Sequence, residues 1–162
     1  MSGAIGVAVF AGLFATIAFD LWQRLVHLAT GIPPSNWAMV GRWFGHMPRG
    51  RFAHAAIAAA DPVRNELALG WTMHYLIGIL YGFAYMGMTG LLAAAPSPAN
   101  GFLFGLASVV VPWFLMAPAL GLGVMARKAP NPNVPRYSAL AGHCVFGIAL
   151  YAGAAVHGAI GL

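Results

Sequence analysis

Four long apolar stretches, at about 4–28, 67–92, 100–126 and 138–161, constrain this chain more than any other feature in it. Each exceeds the roughly 20 residues that an α-helix needs to cross a hydrocarbon core. Composition argues against reading them as the buried helices of a soluble domain. Of 162 residues, 60% are hydrophobic and 7% are charged, and mean hydropathy is +0.78. A soluble domain carries about 25% charged residues, because its surface must face water. The expectation is an all-α, polytopic membrane bundle of four transmembrane helices, forming a single domain over 1–162. Met1-Ser2-Gly3 supplies no basic segment ahead of the first stretch, which therefore reads as a retained helix rather than a secretory signal.

The charges orient the bundle. Arg24, Arg42, Arg49, Arg51 and Arg64 end the first stretch or lie between the first and second, and Arg127, Lys128 and Arg136 lie between the third and fourth. Both chain ends and the Ala95-Pro96-Ser97-Pro98 connection carry no Lys or Arg. By the positive-inside rule the basic side is cytoplasmic, with both termini on the far side of the membrane. Trp22, Trp37, Trp43 and Trp71 gather at the same boundary, as an aromatic belt does. Arg42, Arg49, Arg51, Arg127, Lys128 and Arg136 are expected to meet anionic lipid headgroups. Eight basic residues beside apolar spans are too few to indicate nucleic acid. The single Cys144 allows no intrachain disulfide.

The longest connection, 31–66, exceeds a bare turn. In it Trp37, Val40, Trp43, Phe44 and Met47 follow helical spacing, while Asn36, Arg42 and His46 fall elsewhere on the wheel. A short amphipathic helix lying in the interface is expected, roofing the bundle. Asp61-Pro62 reads as the start of the second spanning helix and Ser138 as the cap of the fourth.

An internal repeat is visible. His74-x-x-x-Gly78-Ile79 matches His143-x-x-x-Gly147-Ile148, and Gly12-Leu13 with Ala15-Thr16 is echoed by Gly105-Leu106-Ala107-Ser108. Both pairs run in the same direction, which implies two parallel helical hairpins related by an axis along the membrane normal. Gly78-x-x-x-Gly82 and Gly101-x-x-x-Gly105 allow close helix approach, including between copies of the chain in a homo-oligomer or larger membrane complex.

Polar chemistry is concentrated in a few intramembrane residues. Asp20 lies inside the first span with Thr16, Arg24 and His27 on the same stripe. An ionisable group there faces the bundle interior or pairs locally, here with Arg24. His74 and His143 begin equivalent stretches of the repeat. Facing each other they would ligate haem or a metal, hydrogen-bond to Asp20 in a proton path, or simply fix packing. Tyr81 continues the His74 face. Pro112 and Pro118 each remove a backbone donor, freeing the carbonyls of Ser108 and Phe114. Asp20, Arg24, His74, His143, Ser108 and Tyr81 are thus expected to line a polar pocket open to the cytosol. His46 and His54 read as solvated loop residues. The sequence has no GxGxxG, Walker loop, nucleophile elbow or paired carboxylates, so it marks no enzyme and requires no cofactor.

Gly41-Arg42-Trp43-Phe44-Gly45-His46-Met47, Gly70-Trp71-Thr72-Met73-His74-Tyr75, and Pro118-Ala119-Leu120-Gly121 continuing to Pro130-Asn131-Pro132 carry a resemblance. Together with Asp20-Leu21-Trp22, they resemble a bacterial family of small four-helix inner-membrane proteins classed as a domain of unknown function. The resemblance implies the four-helix fold and supplies no catalytic roles. Three functional readings stay open: binding or movement of a proton, metal ion or small solute; a haem- or quinone-binding redox protein; and a non-catalytic accessory subunit.

Overall fold

The structure, a computed structural model, describes residues 2–161. Helix α1 spans Ser2–Thr30, α2 Trp37–His46 and α3 Glu66–Leu91. Helix α4 spans Pro98–Ala119, with a π-helical turn at Pro112–Met116, and α5 spans Asn133–Ile160. No strand occurs among the described residues. Helices α1, α3, α4 and α5 are each long and apolar enough to cross a membrane.

Local chemistry explains the helix limits, including those that differ from expectation. Ser97 accepts from Asn100 N–H while the Asn100 side chain accepts from Ser97 N–H, and Pro98 follows at the first helical position, so α4 starts with a capping box. Pro112 has no N–H, and the turn widens until Ala117 N–H reaches the Pro112 carbonyl. The third span was expected to reach 126 but stops at Ala119. Gly121 and Gly123 turn left-handed at φ 91° and 73°, and Leu122 N–H closes on the Ala117 carbonyl at 2.8 Å. Asp61-Pro62 does not start α3. The helix begins at Glu66, whose carboxylate accepts from Val63 N–H at 3.1 Å. Ser138 does not cap α5, which begins five residues earlier at Asn133, just after Pro132.

Many large apolar side chains face outward, and the buried set mixes small apolar with polar residues. Leu25, Leu28, Leu80, Leu103, Phe114 and Leu115 point outward, whereas the centre is closed by small residues such as Ala8, Ala11, Ala15 and Ala149 around Tyr85 and Leu150. That distribution suits helices whose solvent is lipid and whose association depends on close backbone approach. A Cβ on Gly12 would meet the Gly78 carbonyl and Ile79 Cα at 2.5 and 2.7 Å, and one on Gly147 would meet Gly105 Cα at 2.6 Å. The glycine pairs Gly78/Gly82 and Gly101/Gly105 are therefore used inside the chain, against α1 and α5 respectively.

The packing also gives the repeat a physical form. In the α1–α3 hairpin, Gly12 and Thr16 face Gly78, one turn beyond His74. In the α4–α5 hairpin, Gly105 faces Gly147 and the His143 carbonyl, while Ser108 touches His143. The ring that results is uneven. Each helix packs along its length on its neighbours in the order α3, α1, α5, α4, but α4 and α3 touch at few points. At the far end Tyr85 hydroxyl donates to Asn100 at 2.6 Å and Phe104 packs edge-on against Tyr81 and Tyr85. Towards the basic end the α3–α4 seam widens.

Helix α2 covers that wide end. Gly41 and Gly70 let its backbone pack directly on the start of α3. None of its ten residues is exposed. Its polar face is turned into the 51–60 segment, which continues to α4: His54 N–H donates to the Ala119 carbonyl at 2.9 Å and Ile57 N–H to the Leu120 carbonyl at 3.0 Å.

Candidate functional site

The widened seam holds a chamber of about 460 Å³ under α2, walled largely by apolar and aromatic side chains including Phe19, Trp37, Trp43 and Phe146. A second cavity, of about 810 Å³, lies towards the basic end between α1, the 32–36 and 56–58 segments, and the facing ends of α4 and α5. The two share Phe19, Trp37, Val40, Pro112, Met116 and His143 as a common partition. The polar residues of the inner chamber are Thr16, His74, Tyr81 and His143.

Each imidazole is held at one nitrogen. His74 Nε2 lies 3.0 Å from Asp20 Oδ1, and the second carboxylate oxygen accepts from Tyr75 hydroxyl at 3.1 Å. The His74 ring stacks on Trp37 with centroids 3.8 Å apart. His143 Nδ1 lies 2.7 Å from Ser108 Oγ, which in turn reaches the Gly105 carbonyl at 2.7 Å. Phe19 rests against both rings, at 5.9 and 6.0 Å. The second nitrogens, Nδ1 of His74 and Nε2 of His143, bond to no described residue.

Of the six residues expected to converge, four line or directly support the chamber: His74, His143, Tyr81 and Ser108. Asp20 acts behind His74. Arg24 does not take part: it is exposed, and Asp20 bonds to residues more than 50 positions away instead of to its neighbour one turn on. Ser108 contributes its hydroxyl, not the freed carbonyl that Pro112 suggested.

The cap holds groups that sequence patterning placed at the surface. Arg42 was expected at lipid headgroups, yet its side chain is 9% exposed, with Nε and Nη2 each 2.8 Å from a Glu66 carboxylate oxygen. Its Nη1 donates to the carbonyls of Ile57, Ala58 and Ala60. The hydrogen bonds it donates to Glu66 hold the guanidinium above its ordinary pKa. His46 and His54, read as solvated, are both buried and bond to each other. Burial pushes His54 below the usual imidazole range, with the charges of His46 and Arg51 adding to it. Arg136 turns back to donate to the Met125 carbonyl at 2.9 Å, clamping a left-handed residue at φ 52°. Arg49, Arg51, Arg127 and Lys128 are exposed. Among the described residues no three His, Cys, Asp or Glu side chains converge as metal ligands.

Fold and site together define a four-helix membrane bundle with a histidine-walled apolar chamber beneath a helical cap. The chain belongs to the family described as protein of unknown function (DUF2938), which matches residues 9–157. No curated protein and no solved structure matches it.

Proposed function

We propose that this chain is a membrane-embedded binding protein whose inner chamber takes up a small, largely apolar solute along the α3–α4 seam. The observation that carries this reading is the contrast inside the chamber: aromatic and aliphatic walls surround two imidazoles that each keep one nitrogen free. A pocket of that kind orients a ligand by a few polar groups and binds its body by burial. A hydrated ion finds few groups there to replace its water, so movement of a bare metal ion or charged solute is the weaker reading. Haem ligation by the His74–His143 pair also suits the chamber less well. Phe19 packs against both rings, leaving less room for a planar macrocycle between them. In the same reading the basic end faces the cytoplasm of a bacterial inner membrane, and Arg49, Arg51, Arg127 and Lys128 contact lipid phosphates.

The test is thermal unfolding of the purified protein with durohydroquinone dimethyl ether, a ring-sized apolar probe. A saturable rise in Tm is expected, because a ligand that binds only the folded state stabilises it. The Ile77→Trp variant, which fills the chamber, should lose the rise. An unsaturable response, equal in both proteins, would show partitioning into detergent and would sink the reading.

A further inference from the structure

The hydrogen bonds behind the two imidazoles fix which kind of polar group the chamber presents. A carbonyl oxygen only accepts, so the Ser108 hydroxyl proton goes to Gly105. Ser108 Oγ then meets His143 Nδ1 at 2.7 Å as an acceptor, and Nδ1 must carry the proton. The reverse assignment would leave two lone pairs facing each other at 2.7 Å across Ser108 and Gly105. In a neutral imidazole with Nδ1 protonated, Nε2 is a bare acceptor. The same logic applies to His74. Both Asp20 oxygens receive donors, one from Tyr75 and one from His74 Nε2, so in the neutral ring Nδ1 of His74 is the bare nitrogen. Thr16 continues the pattern, since its hydroxyl proton is spent on the Gly12 carbonyl at 2.7 Å. Only the Tyr81 hydroxyl remains free to turn either way.

The fixed polar atoms of the chamber wall are therefore lone pairs inside an apolar, aromatic enclosure. We infer that the chamber selects hydrogen-bond donors, and that its ligand class is a ring-sized phenol of the hydroquinol type whose O–H groups meet His74 Nδ1 and His143 Nε2. The inference rests on the solute-binding reading above and names the chemistry of its ligand. A quinone of the same size offers only acceptors and would set lone pair against lone pair. An ether of the same shape fills the chamber but offers the imidazoles nothing. A site built around a hydrogen bond discriminates strongly against an analogue that leaves its buried polar atoms unpaired.

The test compares durohydroquinone, its dimethyl ether and duroquinone under argon, with dissociation constants from the ligand dependence of Tm. The hydroquinol is expected to bind at least about tenfold tighter than either analogue, the size of one well-made buried hydrogen bond. Ser108→Ala removes the acceptor that holds the His143 tautomer. It should reduce that preference to within about threefold while leaving the ether's affinity unchanged, an outcome that a merely structural role for Ser108 would not produce. His74→Phe keeps the ring against Trp37 and provides a second route to the same loss of preference. Equal binding of all three probes, or tightest binding of the quinone, would overturn donor selection and leave the chamber reading intact. Failure of all three to bind would overturn both.

Discussion

His46 and His54 meet nitrogen to nitrogen, Nδ1 to Nε2 at 2.7 Å, inside the cap that α2 and the 51–60 segment form together. His46 Nε2 is 3.0 Å from the Asp61 carbonyl and must donate to it, so His46 Nδ1 accepts from His54. That leaves His54 Nδ1 as a buried lone pair with no partner among the described residues. Any further proton taken up by the pair ends at that atom, beside the positive charge of Arg51, with Glu66 already committed to Arg42.

Acid should loosen the cap. His54 is depressed in the folded protein, so its contribution is fully present above the unfolded imidazole pKa of about 6.5 and is lost as pH falls below it. Tm measured by intrinsic fluorescence should decline below about pH 6.5, and more steeply in the natural protein than in His54→Phe. Equal slopes in the two would remove His54 as the cause.

The Arg42–Glu66 pair should show the asymmetry of a partly enclosed ion pair. Arg42→Met leaves Glu66 without its guanidinium and takes the Nη1 donor from three carbonyls, so unfolding should shift down by several degrees. Arg42→Met combined with Glu66→Met should recover part of that loss. Additive losses in the double variant would show that the carbonyl contacts, not the carboxylate, dominate.

Glycine at the two hairpin crossings should tolerate no Cβ. Gly12→Ala and Gly147→Ala each drive a methyl into opposing backbone, and overpacking of this kind costs about 1–3 kcal/mol. Gly87→Ala, where open space surrounds the position, is the control and should be neutral or slightly stabilising. Equilibrium unfolding in mixed micelles measures all three, and an unchanged Gly147→Ala would contradict the packing.

The tautomers can be read directly. With 15N-labelled histidine, His143 should appear as the Nδ1–H form and His74 as the Nε2–H form. Ser108→Ala should shift only the His143 signals toward a mixture. A predominantly Nε2–H His143 in the unaltered protein would contradict the assignment.

Much of the architecture is legible in the chain because lipid leaves few choices. The four apolar runs become four long helices, and the 37–47 spacing becomes α2. The paired His-x-x-x-Gly segments occupy matching places in the two hairpins. What escapes is whatever depends on contacts distant in sequence. Arg24 is the obvious partner for Asp20 along one helix, but His74 and Tyr75 arrive from α3 and take its place. Arg42 and His46 read as the wet face of an amphipathic helix because Glu66, His54 and the carbonyls of 57–61 lie well downstream. Pro112 signals a disturbed α4, yet nothing local tells that the Ser108 hydroxyl would be oriented by a histidine 35 positions later.

The sparse contact between α3 and α4 changes what concentration means for this protein. A solute arriving sideways, as proposed, would come dissolved in the bilayer, where every tenfold of partitioning adds about 1.4 kcal/mol to the affinity seen from water. The chamber itself then needs little intrinsic strength. On the proposed reading its discrimination would come from two lone pairs acting on compounds that the membrane has already gathered, so oil–water distribution and imidazole chemistry would divide the work of choosing a ligand.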